Sequence, residues 1–408
     1  MTPRLLSAVL AVACFAAAIV AGCAPRADSA KGDERGGASP PPPGEGAYDW
    51  GLPADIPRPV VPTDNPMTHA KVALGRRLFY DRRLSSNGKV SCATCHVQRF
   101  AFASGTKNPV GVDGQPHPRN APSLANAGYH ARYNWAAPSL RSLEAQMRAP
   151  LFGEGAPTVE MGLTTDAARA AALSALRADD RYRALLAEAF PEAGELGWDE
   201  VIRAIASFER ALVSMNAPID RLRRGDTSAM SYAAMRGVEI FNTDYKGAVC
   251  HHCHNGITFT NDVTHERAPF DEVVYTNVGL YNVGGTGAYP PGNQGLFEVT
   301  NNPADRGKFR TPSLRNASVT GPYMHDGSVA TLAEVIEHYQ RGGRLIDEGP
   351  LAGDGRESPN KERGLGGMTL DDDDIRDLIA FLDALTDHDF LTDPRFSNPE
   401  PESPFFGE

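Results

Sequence analysis

The spacing of apolar residues predicts a mainly helical protein with two similar halves. In the first half, apolar side chains recur at helical spacing at Trp198, Val201, Ile202, Ile205, Phe208 and Leu212. The second half repeats this spacing at Ile375, Leu378, Ile379, Leu382 and Leu385. Residues three or four positions apart share one face of an α-helix, so each series predicts an amphipathic helix that packs on a core.

Each half also has an earlier helical pattern that contains a glycine, Gly75 in the first half and Gly237 in the second. A glycine inside a helix costs about 1 kcal/mol, and its best explanation is another backbone lying close against it. We therefore expect the last helix of each half to cross the first helix of that half at the glycine.

The last helix of the second half has a start signal of its own. Thr369 with Asp372 forms the pattern of a capping box. The acidic run from Asp371 to Asp374 would place negative charge at the positive end of the helix dipole. This run therefore indicates a helix start rather than a metal site.

Two short segments have the C-x-x-C-H spacing that attaches a c-type haem, Cys92-Ala93-Thr94-Cys95-His96 and Cys250-His251-His252-Cys253-His254. In such a motif the thiols form thioethers to the porphyrin and the histidine binds the iron. Zinc sites and disulfides are the alternatives, but no further thiol pairs are present to complete cysteine-rich zinc sites. Crossing helices beside a covalent haem are typical of cytochrome c. We therefore predict a mainly α fold with two cytochrome c-like domains, each with one haem.

The predicted domains are residues 61–216 with the first haem and residues 217–389 with the second. Residues 23–60 are rich in Gly, Pro, Ser and charged residues, a composition that predicts a disordered tether. Residues 390–408 form a tail rich in Pro and Phe, which we expect on the protein surface.

Residues 1–22 are predicted to be an export signal. Arg4 precedes an apolar run that ends at Gly22 and Cys23, as in bacterial lipoprotein signals, where the cysteine is acylated. Acyl chains on Cys23 would anchor the protein to a membrane without spanning it. Ala24 in the next position favours the outer membrane, with the protein facing the periplasm. The alternative is cleavage nearby and release as a soluble protein.

The chain has 408 residues, a formal net charge of −11 and six cysteines. The negative charge argues against a nucleic-acid partner, which requires a basic face, and leaves proteins and small molecules as partners. Cys14 would leave with the signal, Cys23 would take lipid, and the remaining four would take haem. No pair is then left for a structural disulfide.

From about Pro62 to Asp389 the chain resembles the bacterial di-haem cytochrome c peroxidases and their relative MauG. Besides the haem motifs, the matching segments are Arg119 to Pro122, Trp135, Gln146, Pro150, Glu160 to Gly162, Thr311 to Asn316 and Thr320 to Gly327. Pro150 to Glu154 and Val159 to Gly162 are most similar to the MbnH branch, which oxidises a tryptophan of a partner protein, MbnP, to kynurenine. The resemblance implies a haem-dependent oxidoreductase that uses hydrogen peroxide.

The resemblance implies that Tyr339 is the second axial ligand of haem 2, opposite His254. Tyr339 lies seventeen positions beyond Pro322, where the peroxidases have methionine and MauG has tyrosine. A hard phenolate favours oxidised iron, whereas a soft thioether favours ferrous iron. The alternative ligands are His338, Met324 and His325.

For haem 1, with His96 as its ligand, the resemblance implies an open distal side. The loop histidine that can block this side in the peroxidases is replaced here by Val112, although His117 is close in sequence and remains an alternative ligand. Glu160 matches the family's distal glutamate, which moves a proton during peroxide cleavage, and Gln146 matches its hydrogen-bonding companion. The loop before Glu160 is a few residues longer than in the family.

Trp135 matches the family's tryptophan between the haems, whose indole can pass electrons from one haem to the other. A core tryptophan with a satisfied N–H is the alternative. The resemblance also implies a calcium ion between the domains, bound by the Asn120 side chain and the carbonyl groups of Thr320 and Pro322. Without the resemblance, these three would be interpreted only as turn residues.

Three functions are compatible with two such haems. The resemblance, with Tyr339 and Val112, favours an enzyme in which peroxide produces a bis-Fe(IV) state that oxidises a tryptophan of a docked protein by long-range electron transfer. The main alternative is a di-haem peroxidase that reduces hydrogen peroxide with electrons from a small cytochrome or cupredoxin. The third function is a non-catalytic di-haem electron carrier.

Overall fold

The computed structural model describes residues 48–155, 159–268 and 273–407. The predicted signal segment, the predicted acylation site Cys23 and the predicted tether up to residue 47 lie outside the described residues. Within the described ranges, no helix combines the length and the apolar character needed to cross a membrane.

The regular secondary structure of the described residues is mainly helical. The α-helices are α1 His69–Tyr80, α2 Cys92–Cys95, α3 Leu143–Gln146, α4 Arg148–Phe152, α5 Asp166–Arg177, α6 Asp180–Ala189, α7 Trp198–Ala211, α8 Pro218–Arg223, α9 Tyr232–Asn242, α10 Phe297–Thr300, α11 Leu332–Arg341, α12 Asp372–Asp383 and α13 His388–Thr392. Single 3-10 turns lie at Arg82–Leu84, Gln98–Phe100, Ala127–Tyr129, Tyr245–Gly247, Cys250–His252, Pro303–Asp305, Ala317–Val319 and Gly355–Glu357. Two short antiparallel pairs are formed by β1 Tyr275–Thr276 with β2 Phe309–Arg310, and by β3 Leu345–Ile346 with β4 Gly353–Asp354.

The crossing of first and last helices predicted from the glycines is confirmed in both halves. A Cβ atom added at Gly75 of α1 would lie 1.9 Å from the carbonyl oxygen of Ala204 in α7. At Gly237 of α9 the corresponding distance is 2.1 Å, to the carbonyl oxygen of Asp377 in α12. Only glycine allows the backbones to approach this closely. Each crossing lies beside its own hydrophobic core, and the chain passes from one core to the other between Leu212 and Ala217.

The cap of α12 lies two residues later than the sequence pattern predicted. Asp371, not Thr369, is the N-cap, and its side chain accepts a hydrogen bond of 3.0 Å from the backbone N–H of Asp374. The Asp374 side chain accepts one of 3.2 Å from the backbone N–H of Asp371 in return. An aspartate caps a helix as well as a threonine does, so the acidic run itself sets the start.

Both ends of the described chain pack onto the body more closely than their composition predicted. Ile56, inside the predicted tether, is buried, and the hydroxyl of Tyr129 donates a hydrogen bond of 2.7 Å to the carbonyl group of Pro57. In the C-terminal tail, Phe396 and Phe406 are buried in the first core. The expectation of a surface tail is therefore wrong for these aromatic side chains, because their burial in the first core removes apolar area from water.

Candidate haem sites and their surroundings

A cavity of about 230 Å³ opens beside the second C-x-x-C-H motif. Cys250, Cys253 and His254 line it together with Tyr339 of α11. Most of the remaining wall is apolar and includes Phe241, Leu314, Leu332, Ile336, Leu378 and Leu382. An apolar wall with a few convergent polar groups is the usual form of a cofactor site. These residues fit a covalently attached haem, with both of its proposed axial ligands facing one cavity.

Both motif histidines are held in the form that binds iron. Nδ1 of His96 lies 2.8 Å from the carbonyl oxygen of Phe102, and Nδ1 of His254 lies 3.2 Å from that of Phe259. A carbonyl oxygen can only accept, so Nδ1 carries the proton and Nε2 keeps its lone pair for the metal. Burial lowers the pKa of His96 and lowers that of His254 to about 4, so both rings are neutral at physiological pH. The four motif cysteines form no disulfide bond among the described residues, so their sulfur atoms are available for haem attachment.

Three of the four candidate ligands for the far side of haem 2 line this cavity, namely Tyr339, Met324 and His325. His338 is not part of the lining, and its Nε2 lies 2.8 Å from the carbonyl oxygen of Val278. Burial raises the pKa of Tyr339, so its phenol would lose the proton only to a strong positive charge such as that of ferric iron. His325 stacks on Phe309, with 3.7 Å between the ring centroids.

Trp135 connects the two halves of the chain. It belongs to the first half of the sequence but lines the haem 2 cavity and packs in a hydrophobic cluster of second-half residues. Its indole N–H donates a hydrogen bond of 2.8 Å to the carbonyl group of Asn120, and its own carbonyl accepts one of 2.9 Å from Arg310. Trp135 is therefore buried, and its hydrogen bond fixes the orientation of the indole where the two halves meet. This environment suits both electron transfer between the haems and a purely structural role in the core.

Glu160 lies beside the first haem motif. Two causes raise the pKa of Cys95 to about 12: the larger is burial, and the second is the negative charge of the nearby Glu160. The Glu160 carbonyl accepts a hydrogen bond of 2.9 Å from the backbone N–H of Val112, so the loop position where the peroxidases carry a histidine borders the glutamate. Nε2 of His117 lies 3.4 Å from a carboxylate oxygen of Glu160. The structure thus brings Glu160, Val112 and His117 together, and the contact between Glu160 and His117 was not predicted from the sequence.

Gln146 ends helix α3, which starts with Ser142 as its cap. Its Oε1 atom is buried and has no hydrogen-bond partner among the described residues. A buried amide oxygen without a partner costs about 1–3 kcal/mol, so this atom is suited to a group that the polypeptide does not supply.

The three residues assigned to calcium lie on loops that meet. The backbone N–H of Asn120 donates a hydrogen bond of 2.8 Å to the carbonyl group of His325, a few residues beyond Pro322. The Asn120 side chain donates from its amide nitrogen to the carbonyl group of Thr106, at 2.7 Å. Its oxygen end is therefore the part that a cation would use, in agreement with the preference of calcium for oxygen ligands.

A buried ionic cluster that the sequence did not indicate also links the two halves. Asp262 lies 2.9 Å from Nδ1 of His130 and 2.8 Å from the guanidinium group of Arg310. It also accepts hydrogen bonds of 3.0 and 3.1 Å from the backbone N–H groups of Ala131 and Arg132. Burial alone would raise the pKa of Asp262, but Arg310 and His130 outweigh burial and lower it. No local sequence pattern predicts such a cluster, because its three parts, His130–Arg132, Asp262 and Arg310, are more than 45 residues apart in the chain.

Comparison of the sequence with known proteins identifies relatives that are di-haem peroxidases. Residues 69–228 match the family model of the di-haem cytochrome c peroxidases. The chain is 35% identical to cytochrome-c peroxidase IdrP1 of Denitromonas iodatirespirans over 83% of this chain and 86% of that protein. It is 34% identical to the methylamine utilization protein MauG of Methylorubrum extorquens over 82% of each.

A solved structure of a MauG-like protein associated with microbial copper homeostasis is also similar. It is 46% identical, with a TM-score of 0.82, over 86% of this chain and 99% of that one. The diheme peroxidase BthA of Burkholderia thailandensis, 23% identical with a TM-score of 0.60 over 85% and 90% of the two chains, shares the fold. The chain therefore belongs to the di-haem cytochrome c peroxidase and MauG family, whose members are haem-dependent oxidoreductases that use hydrogen peroxide.

Proposed function

We propose that this protein uses hydrogen peroxide to oxidise a tryptophan of a partner protein by electron transfer over a long distance. The observation that carries the proposal is the cavity in which Trp135, from the first half, meets His254 and Tyr339 of the second. A tryptophan in this place offers an oxidisable group between the two haem sites. The partner would not have to enter either haem pocket, so a whole protein can be the substrate.

Two covalently bound c-type haems supply the redox chemistry when they are attached, one in each cytochrome c-like domain. We assign their attachment to the motif cysteines, with His96 at haem 1 and His254 with Tyr339 at haem 2. Peroxide gains two electrons and two protons to form two molecules of water. The partner tryptophan supplies the two electrons, takes up one molecule of water and releases two protons, so that one oxygen atom is added to it. Glu160 is assigned to move a proton between the peroxide oxygens, and Gln146 to hold peroxide by a hydrogen bond. A calcium ion on Asn120, Thr320 and Pro322 would fix the loops between the domains.

The proposal extends to the place of the reaction and to its partner. A lipid on Cys23 would hold the protein at the outer membrane, facing the periplasm, so its partner is a periplasmic or outer-membrane protein resembling MbnP. The 46% identity to the MauG-like protein associated with copper homeostasis supports this branch over the branch of MauG itself.

The decisive experiment adds hydrogen peroxide to the fully oxidised, haem-loaded protein together with candidate periplasmic proteins. Mass spectrometry should show oxygen added to a tryptophan of one candidate, only when both peroxide and this protein are present. The variant Trp135→Phe should lose most of this product while it still binds both haems. Rapid peroxide consumption with no modified partner, and only after reduction of the protein, would contradict the proposal.

A di-haem peroxidase that takes electrons from a small cytochrome or cupredoxin is the second candidate. The observation in its favour is Met324, which lines the haem 2 cavity with Tyr339 and could place a thioether on the iron. A sulfur ligand raises the reduction potential and suits one-electron delivery. This candidate predicts that peroxide reacts only after haem 2 has been reduced.

A further inference from the structure

Three potential metal ligands meet on the surface beside the second haem motif. Asp244, His251 and His252 form a group whose ligand atoms all lie within 4.8 Å of one another. His251 and His252 share the 3-10 turn Cys250–His252, and Asp244 immediately precedes the turn Tyr245–Gly247. Neither histidine is needed for haem attachment, which uses the cysteines and His254.

The separation of Asp244 and His252 suits two ligands of a common ion. Nε2 of His252 lies 3.7 Å from a carboxylate oxygen of Asp244, which is too long for a hydrogen bond. Atoms that bind one ion at about 2 Å lie about 3–4 Å from each other, so this separation suits two ligands of one ion. The rings of His251 and His252 are 4.5 Å apart between centroids and nearly perpendicular.

Two of the three side chains are exposed, and the third, His251, is half-buried with a buried ring nitrogen, Nδ1, that has no hydrogen-bond partner among the described residues. The side chains of Asp244 and His252 are 71% and 58% exposed. The neighbouring cation Lys246 is bound to Asp371 at 2.7 Å and also to Asp374, so it does not neutralise Asp244.

We propose that Asp244, His251 and His252 bind a divalent late first-row transition-metal ion, and that Cu²⁺ binds more tightly than Zn²⁺. Imidazole nitrogens suit copper, zinc and nickel, whereas calcium and magnesium prefer oxygen ligands alone. For a given set of nitrogen and oxygen ligands, affinity rises along the first row to Cu²⁺ and falls at Zn²⁺. Water completes the coordination, because the site faces solvent. The ion would lie next to the turn that carries the thioethers of haem 2.

The experiment titrates CuCl₂ and ZnCl₂ into the full haem-loaded chain, with calorimetry for affinity and electron paramagnetic resonance for the Cu²⁺ ligands. One tight Cu²⁺ per chain, with hyperfine coupling to two imidazole nitrogens, is expected. His251→Gln and His252→Gln should each raise the Kd about tenfold or more, and Asp244→Asn should raise it by a smaller factor.

His388→Gln is the matched control, since His388 is exposed and lies at the start of α13, outside the group. This variant should leave the Kd unchanged. The haem content and the ferric haem signals of every variant should equal those of the parent, which separates loss of metal binding from misfolding. Unchanged tight Cu²⁺ binding in the double variant of His251 and His252, or an equal loss in His388→Gln, would overturn the site.

Discussion

At the scale of single residues, the environment of Glu160 decides whether it can serve peroxide chemistry. The family resemblance singles out Glu160 among the glutamates of this region, and packing shows how its surroundings differ from those of a nearby glutamate. Glu160 borders Val112 and faces His117, whereas Glu154 forms an exposed ion pair of 2.7 Å with Arg148. The two carboxylates are six positions apart in the chain and have different surroundings.

Glu160→Gln should slow the reaction of the oxidised protein with peroxide about 100-fold or more, because an amide cannot take up and return a proton. Stopped-flow absorption of the haem bands measures this rate. Glu154→Gln is the control and should keep the parent rate. A Glu160→Gln variant that reacts at the parent rate would remove Glu160 from the mechanism.

On the ligation proposed for haem 2, Tyr339→Phe should leave the ferric iron without a sixth ligand and convert it from low spin to high spin. The absorption and paramagnetic resonance spectra of the oxidised protein report this change. Tyr323→Phe is a matched control in the same cavity, where the Tyr323 hydroxyl donates a hydrogen bond of 3.0 Å to the carbonyl group of Ala317. If Tyr339→Phe stays low spin while Met324→Leu changes, methionine is the ligand.

At the scale of secondary-structure elements, the C-terminal tail is a part of the first core. The backbone N–H of Arg82 donates a hydrogen bond of 2.9 Å to the carbonyl group of Phe405, and Gly407 accepts one of 2.9 Å from the hydroxyl of Ser91. Ser91 is the N-cap of the helix that carries the first haem motif. The end of the chain therefore supports the start of the haem 1 site.

Phe406→Ala should lower the free energy of unfolding by about 3 kcal/mol, because it removes a buried aromatic ring from the first core. Phe406 is 4% exposed, whereas its neighbour Phe405 is 50% exposed. Phe405→Ala should therefore change the free energy of unfolding by less than about 1 kcal/mol. Denaturant unfolding of the haem-loaded proteins gives both values, and equal losses would argue against a docked tail.

At the scale of the whole molecule, the two halves are joined by Trp135 and by the buried cluster around Asp262. Trp135 of the first half packs among second-half residues, and the cluster joins His130 of the first half to Asp262 and Arg310 of the second, so we expect the relative position of the two halves to depend on these contacts. The folded protein loses stability when a buried carboxylate loses its charged partner. We therefore expect the free energy of unfolding to depend on the ionisation of Asp262 and on its substitution.

The pKa of Asp262 is lowered in the folded protein, so its ionised form stabilises the fold. This contribution is complete above the unfolded pKa of about 4 and is lost as pH falls through the lower folded value. Asp262→Asn should reduce the free energy of unfolding at neutral pH by about 3 kcal/mol and weaken its dependence on acid pH. Unfolding curves between neutral and acid pH test this, with the exposed Asp64→Asn as control. A parallel pH dependence in Asp262→Asn and the parent would contradict it.

The sequence by itself predicted where two haems attach, and it determined the helix crossings. Both rest on local features of the sequence. The haem sites rest on two five-residue motifs, and the crossings rest on glycines inside helices, which let the backbone of a second helix come close. The family follows from these motifs and from the segments around Glu160 and Thr320. These motifs can be recognised in the sequence because their chemistry requires particular residue types at fixed spacing.

Only the tertiary structure decided which distant residues meet. The contact of His117 with Glu160, the burial of Phe406, the cluster of Asp262 and the meeting of Asp244 with His251 have no local signature. The composition of the C-terminal tail predicted that it is exposed. Apolar side chains from any part of the chain can nevertheless join a hydrophobic core, because burial is favourable wherever they lie in the sequence. Which residues contact each other depends on the packing of the folded chain, and that packing depends on all parts of the sequence together.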